Sequence, residues 1–157
     1  MNLSIILKFN LNAKEALDFY KECFGGEIKS IYTYSMVKDM PSIYHDKIYH
    51  SDLESDNIKL SVYDENDEIL SYKGYENLPK KEEKKCCGGC KNKSKNIVEI
   101  TIENIKSEKD QAEIFEKLSK DGKIEIPLQK TSWGSIFGKV IDKYGINWNL
   151  IFYLGRN

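Results

Sequence analysis

Three cysteines lie close together near the middle of the chain, at Cys86, Cys87 and Cys90. Cys87 and Cys90 have the CxxC spacing of zinc and redox sites, and the two glycines between them permit a tight loop. The lysines on both sides are expected to favour the thiolate form, which is the form that binds metals. Three thiolates suit Zn, Cu(I), Cd or trivalent As better than Mg or Mn. The cluster therefore predicts a thiophilic metal or metalloid site; the alternative is an exposed flexible loop without a function.

A single CxxC pair supplies only half of a closed structural zinc site. Completing the site would require Cys23, His45 or a second subunit. Cys23 falls on the apolar face of a predicted helix and is expected in the core, whereas His45 is expected to be exposed in a loop. The cysteine segment does not have the pattern of a strand-to-helix turn, which disfavours a thioredoxin-like redox role.

His50 and Glu99 are the other candidates for chemistry. His50 lies in a predicted strand on the same face as Asp52, where its imidazole could act as a general base or bind a ligand by a hydrogen bond. The alternative is a histidine whose hydrogen bonds are satisfied within the sheet. Glu99 alternates with Val98 and Ile100, so its carboxylate points either towards a cavity or to solvent. A divalent cation held by His50 and Glu99 is therefore one hypothesis for an enzymatic function.

Aromatic side chains lie on or beside several predicted strands and could line a pocket for a small ligand. Each of them could equally belong to the core or to a dimer interface. The candidates are Phe9, Tyr63, Trp133, Phe137 and Trp148.

The composition is that of an ordinary globular protein, with 157 residues, 40% hydrophobic residues and a net charge of −1. The balanced charge disfavours nucleic acid as a partner, and no apolar run has the length of a membrane span. The N-terminal residues lack the pattern of a signal peptide. We therefore expect a cytoplasmic protein whose cysteines are reduced thiols.

The elements that must position these residues form an internal repeat. A predicted strand at 3–9, a helix from Asn12 to Phe24 and strands at 28–36, 48–53 and 58–63 make up the first module. A strand at 97–102, a helix from Glu108 to Lys120 and strands at 124–128, 134–141 and 146–153 make up the second. Asn12 and Glu15 are expected to form a capping box at the first helix. The pattern predicts an α+β fold of two βαβββ modules, each too small to bury its sheet alone.

The modules span about residues 1–64 and 96–153 of one predicted domain, and an insert at 65–95 joins them. Seven lysines and two glutamates between Lys80 and Lys95 give this part of the insert a charge of +5, so the rest of the chain carries −6. We expect the insert to be an exposed, mobile linker.

Three segments in this order resemble the PhnB-like branch of the vicinal oxygen chelate superfamily, which includes glyoxalase I, bleomycin-resistance proteins and extradiol dioxygenases. They are NAKEALDFYKECFGG at 12–26, DKIYH at 46–50 and IPLQKTSWGSIFGKVIDKYGINWN at 126–149. The resemblance implies a mixed sheet curled around a cavity and a homodimer. Metal-dependent members place His or Gln on the first strand of each module and Glu on the last strand, and the corresponding positions here are Ile5, Lys59, Ile97 and Asn149.

Three of these four side chains cannot ligate a divalent cation, and the amide of Asn149 is a weak ligand. The sequence therefore predicts a PhnB-like protein that binds a small ligand without the glyoxalase-type metal, with His50 and the aromatic candidates around the ligand. Two alternatives remain: a metal-dependent glyoxalase-, dioxygenase- or lyase-type enzyme that uses His50 and Glu99, and a soft-metal protein that uses the cysteine cluster.

Overall fold

The computed structural model describes residues 5–55, 58–72 and 98–155, of which Ser71 and Tyr72 are described by their backbone alone. The chain divides into two compact units, Met1–Lys93 and Ser94–Asn157. Across the described ranges, no helix is both long and apolar enough to span a membrane. The predicted cysteine site at 86–90 and the predicted turn at 56–57 lie outside the described residues.

The first unit contains a mixed four-stranded sheet in the order β1-β4-β3-β2. Strand β1 runs parallel to β4, and the other neighbouring strands are antiparallel. The elements are β1 (Ile5–Phe9), α1 (Ala13–Phe24), β2 (Glu27–Thr33), β3 (Ile48–Glu54), β4 (Lys59–Asp64) and α2 (Asp67–Tyr72).

Helix α1 covers one face of this sheet. Its apolar residues recur every three or four positions and are buried together, among them Ala16, Leu17 and Tyr20. They pack against alternate strand residues such as Leu60 and Val62, both fully buried. Because neighbouring side chains of a strand point to opposite faces, the intervening residues lie on the other side. None of the helices in the described ranges packs on that side, and we call it the first helix-free face.

The predicted capping box at Asn12 and Glu15 is wrong. Asn12 stands at the start of α1, but its side chain makes no capping hydrogen bond. The backbone N–H of Ala13 instead donates to Oδ1 of Asp64 at 2.8 Å, and the N–H of Ile48 donates to Oδ2 of the same carboxylate at 2.9 Å. The first N–H groups of a helix need hydrogen-bond acceptors from outside the helix. Here the acceptor is a buried side chain that is distant in sequence.

The segment after β4 also differs from the expected exposed linker. Asn66 accepts a hydrogen bond from the N–H of Ile69 through its side-chain oxygen, at 2.7 Å, and helix α2 begins at Asp67. Ile69 is fully buried in a small apolar cluster with Tyr34, Met40 and Tyr44. The apolar contact of Ile69 explains why residues 67–72 fold onto the first unit, despite their polar composition.

The second unit repeats the first, with a mixed four-stranded sheet in the order β5-β8-β7-β6. Strands β5 and β8 are parallel, and β6, β7 and β8 form an antiparallel meander. Ser107 caps the helix by accepting a hydrogen bond from the N–H of Asp110 at 3.1 Å. The elements are β5 (Glu99–Ile102), α3 (Glu108–Ser119), β6 (Lys123–Lys130), β7 (Ser135–Ile141) and β8 (Asn147–Tyr153).

Helix α3 covers one face of the second sheet and approaches it closely at Gly138. A Cβ atom on Gly138 would lie 2.8 Å from Cε2 of Phe115 on the helix and 2.7 Å from Cδ2 of Leu128. The opposite side is the second helix-free face. Both units thus have the strand order of the predicted βαβββ module, which confirms the α+β fold with two such modules.

Candidate functional site

A hydrogen-bonded cluster centred on Asp52 lies on the first helix-free face. The strand register places Asp52 beside Ser61 of β4 and Ser30 of β2, and all three side chains point to the same face. The Ser61 hydroxyl donates to Oδ1 of Asp52 at 2.6 Å, and the Ser30 hydroxyl donates to Oδ2 at 3.2 Å. The Nε2 atom of His50 lies 3.1 Å from the same Oδ2. Asp52 therefore receives donors from three strands.

These contacts set the charge of Asp52. The hydrogen bond from Ser61 lowers the pKa of the Asp52 carboxyl, and the contact with His50 lowers it further, while partial burial opposes the shift. Because an ionised carboxylate only accepts hydrogen bonds, Nε2 of His50 must carry the proton of this contact. In the neutral imidazole, Nδ1 is then the acceptor nitrogen.

His50 is placed where a ligand could reach it. Its side chain retains 40% of its exposure, and its ring stacks with that of Tyr32, with centroids 6.5 Å apart. Tyr32 and Ile6 on the same face are themselves exposed. The first helix-free face therefore combines apolar surface with a fixed imidazole, which is the combination expected of a site for a small organic ligand.

Two ion pairs flank this cluster on the same face. Lys59 pairs with Glu54 at 2.8 Å, and Lys8 pairs with Glu65 at 3.3 Å. Tyr63 lies beside Lys8 in the register, and burial raises the pKa of its phenol. The predicted ligand residue Tyr63 thus shares this face with His50.

A second polar cluster, centred on Lys139, lies on the second helix-free face. The ammonium group of Lys139 contacts Oε1 of Glu99 at 2.6 Å and Oε2 of Glu125 at 3.0 Å. The amide nitrogen of Asn149 donates to Oε2 of Glu99 at 3.0 Å and approaches Oγ1 of Thr101 at 3.4 Å. The amide oxygen of Asn149 is buried and accepts no hydrogen bond from the described residues.

The Lys139 cluster holds Glu99 as an anion. The hydrogen bonds from Asn149 and Lys139 lower the pKa of the Glu99 carboxyl, and the two glutamates raise the pKa of the Lys139 ammonium. Both oxygens of Glu99 are engaged by donors of its own sheet. A cation bound by Glu99 would therefore have to displace Lys139.

Some of the aromatic candidates lie on the sides of the sheets that helices cover, and others lie on the helix-free faces. Phe9 contacts Tyr20 of α1, with ring centroids 6.4 Å apart, so it lies opposite to His50. Trp148 is buried on the side covered by α3, and its indole N–H donates to Oδ2 of Asp142 at 2.8 Å. Phe137 lies on the second helix-free face, because it is two residues from Lys139 in β7. The binding roles of these residues stay predictions.

Trp133 lies in the turn between β6 and β7 and keeps 68% of its exposure. His45 is exposed before β3, as expected, and its Nε2 lies 2.9 Å from the carbonyl oxygen of Met40. Cys23 is buried on α1, as expected. Cys86, Cys87 and Cys90 lie outside the described residues, so their metal site stays a prediction.

The expected metal-ligand positions need one correction. Ile5 pairs with Leu60 and therefore points to the side of α1, whereas Ile6 pairs with Ser61 on the helix-free face. Lys59 and Asn149 do lie on helix-free faces, and Ile97 is outside the described residues. Within the described ranges, no group of three or more His, Cys, Asp or Glu side chains has a geometry that could hold a metal ion.

Sequence reasoning missed two residues that organise these faces. The strand pattern predicts that Asp52 shares a face with His50. It does not predict the hydrogen bonds of Asp52 with Ser30 and Ser61, because these depend on pairing between strands that are distant in sequence. Lys139 shares one face of its strand with Phe137 and Ile141, which are two positions away on either side, and no other sequence signal marks it. Its two carboxylate partners come from β5 and β6.

Comparisons with known proteins agree with this architecture. The model of the Glyoxalase/Bleomycin resistance protein/Dioxygenase superfamily matches residues 6–150. The protein YjdN of Escherichia coli (strain K12) is 50% identical over 34 residues, which are 22% of this chain and 23% of YjdN. That alignment thus spans about a quarter of YjdN.

Solved structures extend the likeness over the whole chain. The PhnB protein of Bacillus cereus superposes with a TM-score of 0.65 at 22% identity, over 99% of this chain and 100% of its own. The protein PA1353 of Pseudomonas aeruginosa gives a TM-score of 0.64 at 24% identity, over 95% and 96% of the two chains. At these identities the likeness concerns the fold. With the family match over residues 6–150, the chain belongs to the Glyoxalase/Bleomycin resistance protein/Dioxygenase superfamily.

Proposed function

We propose that this chain is a PhnB-like protein that binds a small organic molecule on a helix-free face, without the divalent metal of glyoxalase-type enzymes. The observation that supports this most directly is the first helix-free face. There the His50–Asp52 pair stands beside exposed Tyr32 and Ile6. Apolar surface supplies the free energy of binding to such a site, and a few fixed polar groups orient the ligand.

The residue types on the same face argue against a divalent cation. Ile6 has no atom that could coordinate a metal, and the hydroxyl of Ser61 already donates its hydrogen bond to Asp52. Lys59 carries a positive charge, which repels a cation. Hard divalent cations require several carboxylate or carbonyl oxygens at once. On the second sheet, the carboxylates of Glu99 and Glu125 are already neutralised in part by Lys139.

A ligand screen read out by NMR tests the proposal. A library of small aromatic and heteroaromatic compounds is added to labelled protein, in the presence of a chelator that strips divalent cations. We expect binders to shift the amide signals of β1, β3 and β4 around His50. His50→Ala should weaken these binders, whereas His45→Ala serves as the matched control because His45 lies in a loop before β3.

Either of two results would contradict the proposal. One is a screen whose binders shift only signals of α1 or α3, which cover the other sides of the sheets. The other is binding that disappears with the chelator and returns with one equivalent of Mn²⁺ or Zn²⁺, since this would identify a metal-dependent site. We also propose that the protein is a homodimer, as its resemblance to the family implies, and light scattering on the eluted protein measures this directly.

A further inference from the structure

We infer that His50 accepts a proton from a weakly acidic O–H or N–H group carried on a flat ring, and that Asp52 is the residue that positions it. The inference rests on the proposed function, because it names the chemical class of ligand for the same face. Three observations carry it: the contact between Nε2 of His50 and the Asp52 carboxylate, the hydrogen bonds that hold Asp52 in place, and the stacking of the imidazole with Tyr32.

The tautomer follows from the contact with Asp52. Nε2 of His50 lies 3.1 Å from the carboxylate oxygen Oδ2, which can only accept. The proton of the neutral imidazole therefore resides on Nε2, and Nδ1 keeps its lone pair. A group that meets His50 at Nδ1 must thus be a hydrogen-bond donor, such as a phenol, an enol or a ring N–H.

Asp52 is held in place by more than this contact. Ser61 donates to Oδ1 at 2.6 Å and Ser30 donates to Oδ2 at 3.2 Å, from the two strands that flank β3. A carboxylate fixed from both sides cannot rotate away when its imidazole partner changes protonation state. The arrangement resembles the acidic residue of a catalytic triad in its physical role, since it orients the ring and stabilises the imidazolium.

The ring of Tyr32 defines the shape of the ligand. It stacks with the imidazole at a centroid distance of 6.5 Å and an interplanar angle of 30°. Because Tyr32 and Ile6 are exposed on the same face, a flat ring can cover apolar surface there while its acidic group reaches Nδ1. An aliphatic ligand would gain less from this surface.

The proton transfer is balanced in charge. The O–H or N–H bond of the ligand breaks, its electron pair stays on the ligand, and the proton forms a bond to Nδ1. The resulting imidazolium lies between the ligand anion and the Asp52 carboxylate. Its charge of +1 balances the −1 of the ligand anion, so the net charge of the complex does not change during the transfer. The other titratable and charged groups on this face belong to β1, β2, β3, β4 and the residue after β4. They are Tyr32, Tyr63, Lys8 with Glu65, Lys59 with Glu54, and Glu27, which lies opposite Glu54 and pairs with Lys29.

The probe for the experiment is p-nitrophenol, whose phenolate form absorbs visible light, and p-nitroanisole is the control compound without an acidic proton. Measured slightly below the solution pKa of p-nitrophenol, binding to the wild-type protein should increase the phenolate absorbance. We expect Asp52→Asn and His50→Gln each to weaken p-nitrophenol binding by about tenfold or more, and to abolish the increase. Asp46→Asn is the matched control, since Asp46 is an exposed carboxylate before β3, and it should change neither quantity.

A second measurement needs no ligand. The imidazole nitrogen chemical shifts of His50 distinguish the two neutral tautomers, and they should show the proton on Nε2 in the wild-type protein. Asp52→Asn should redistribute the tautomers, which a purely structural role for Asp52 would not require. A proton on Nδ1 in the wild-type protein would overturn the inference whatever the ligand.

The two proposals fail in distinguishable ways. If p-nitrophenol and p-nitroanisole bind this face equally and without a rise in phenolate, the inference about His50 is overturned and the proposed function stands. If both compounds leave the signals of the first helix-free face unchanged and the ligand screen finds no binder there either, the proposed function is overturned together with the inference.

Discussion

The carboxylate of Asp64 joins three elements of the first unit, and its removal should destabilise that unit strongly. Asp64 is 1% exposed, and its two oxygens accept from the N–H groups of Ala13 at the start of α1 and Ile48 at the start of β3. Its backbone carbonyl also accepts a hydrogen bond from the Tyr34 hydroxyl at 2.7 Å. The substitution Asp64→Ala keeps this last contact and removes the first two.

The expected loss follows from the two orphaned donors. A buried N–H left without an acceptor costs about 1–3 kcal/mol, so two of them cost about 2–6 kcal/mol. The variant also no longer buries a carboxylate, which offsets part of this cost. We expect Asp64→Ala to lower the free energy of unfolding by about 2–4 kcal/mol, and the midpoint of thermal unfolding by about 5–15 °C.

The pH dependence has a definite sign. Burial raises the pKa of Asp64 in the folded state, and the two backbone hydrogen bonds lower it by less. A raised pKa means that the stability contributed by this group is fully present below the unfolded pKa of about 3.9, and is lost as the pH rises through the folded pKa. The difference in stability between the wild type and Asp64→Ala should therefore shrink as the pH rises from acid to neutral.

Urea and thermal unfolding followed by circular dichroism measure this difference at several pH values. Asp64→Asn, a neutral variant of the same shape, should lie between the wild type and Asp64→Ala because its carbonyl keeps one of the two hydrogen bonds. Asp18→Asn, at an exposed position of α1, is the control for loss of a carboxylate. A loss below about 0.5 kcal/mol for Asp64→Ala, or a difference that grows with pH, would refute the reasoning.

Three further predictions concern other parts of the chain. Gly26→Ala should destabilise the first unit by at least about 2 kcal/mol more than Gly25→Ala in the same urea experiment. Both glycines have a positive φ, but only at Gly26 would a Cβ atom clash with the carbonyl of Glu54. Trp148→Phe should lower the free energy of unfolding in urea by about 1–3 kcal/mol, because it removes the indole N–H that donates to the buried carboxylate of Asp142. A variant as stable as the wild type would contradict this. Elemental analysis of anaerobically purified protein should find stoichiometric soft metal only if the cysteine hypothesis holds, and that metal should be absent from the triple Ser variant of Cys86, Cys87 and Cys90.

The repeated module could be predicted from the sequence because its signals are local. Apolar residues recur at helical spacing from Ala13 to Phe24, and glycines follow the helix, so the element and its end are both visible. The strands predicted at 134–141 and 146–153 are likewise present, as β7 and β8. Such patterns depend on residues within a few positions of one another.

The missed features depend on residues that are far apart in sequence. The acceptor at the start of α1 is Asp64, which is 51 residues from Ala13, and no local pattern connects them. The predicted binding roles of Phe9 and Trp148 rest on their being aromatic residues on or beside strands, and they stay predictions, because no local pattern says to which side of a sheet these residues point. Register, which no single strand specifies, places them on the sides covered by helices. The side to which a strand residue points depends on which neighbour it pairs with.

The repeat itself shows how the two sheets have diverged in chemistry. In the first sheet Asp52 pairs with Ser61 across β3 and β4, and in the second Lys139 pairs with Asn149 across β7 and β8. Ser61 in turn lies beside Ile6 of β1, as Asn149 lies beside Thr101 of β5, so Asp52 and Lys139 occupy equivalent places in the two modules.

A carboxylate in one module thus stands where the other has an ammonium group, and the consequences for binding differ. Asp52 is stabilised as an anion by hydrogen bonds from two hydroxyls and from Nε2 of His50, which leaves Nδ1 of His50 as an acceptor. Lys139 is ion-paired with both Glu99 and Glu125, so two of its three N–H donors are already engaged within the sheet. A ligand that meets the first face can therefore gain a hydrogen bond at an exposed imidazole, whereas a ligand that contacts Lys139 or Glu99 on the second face competes with an ion pair. We accordingly expect the chemical specificity of the protein to reside in the first module.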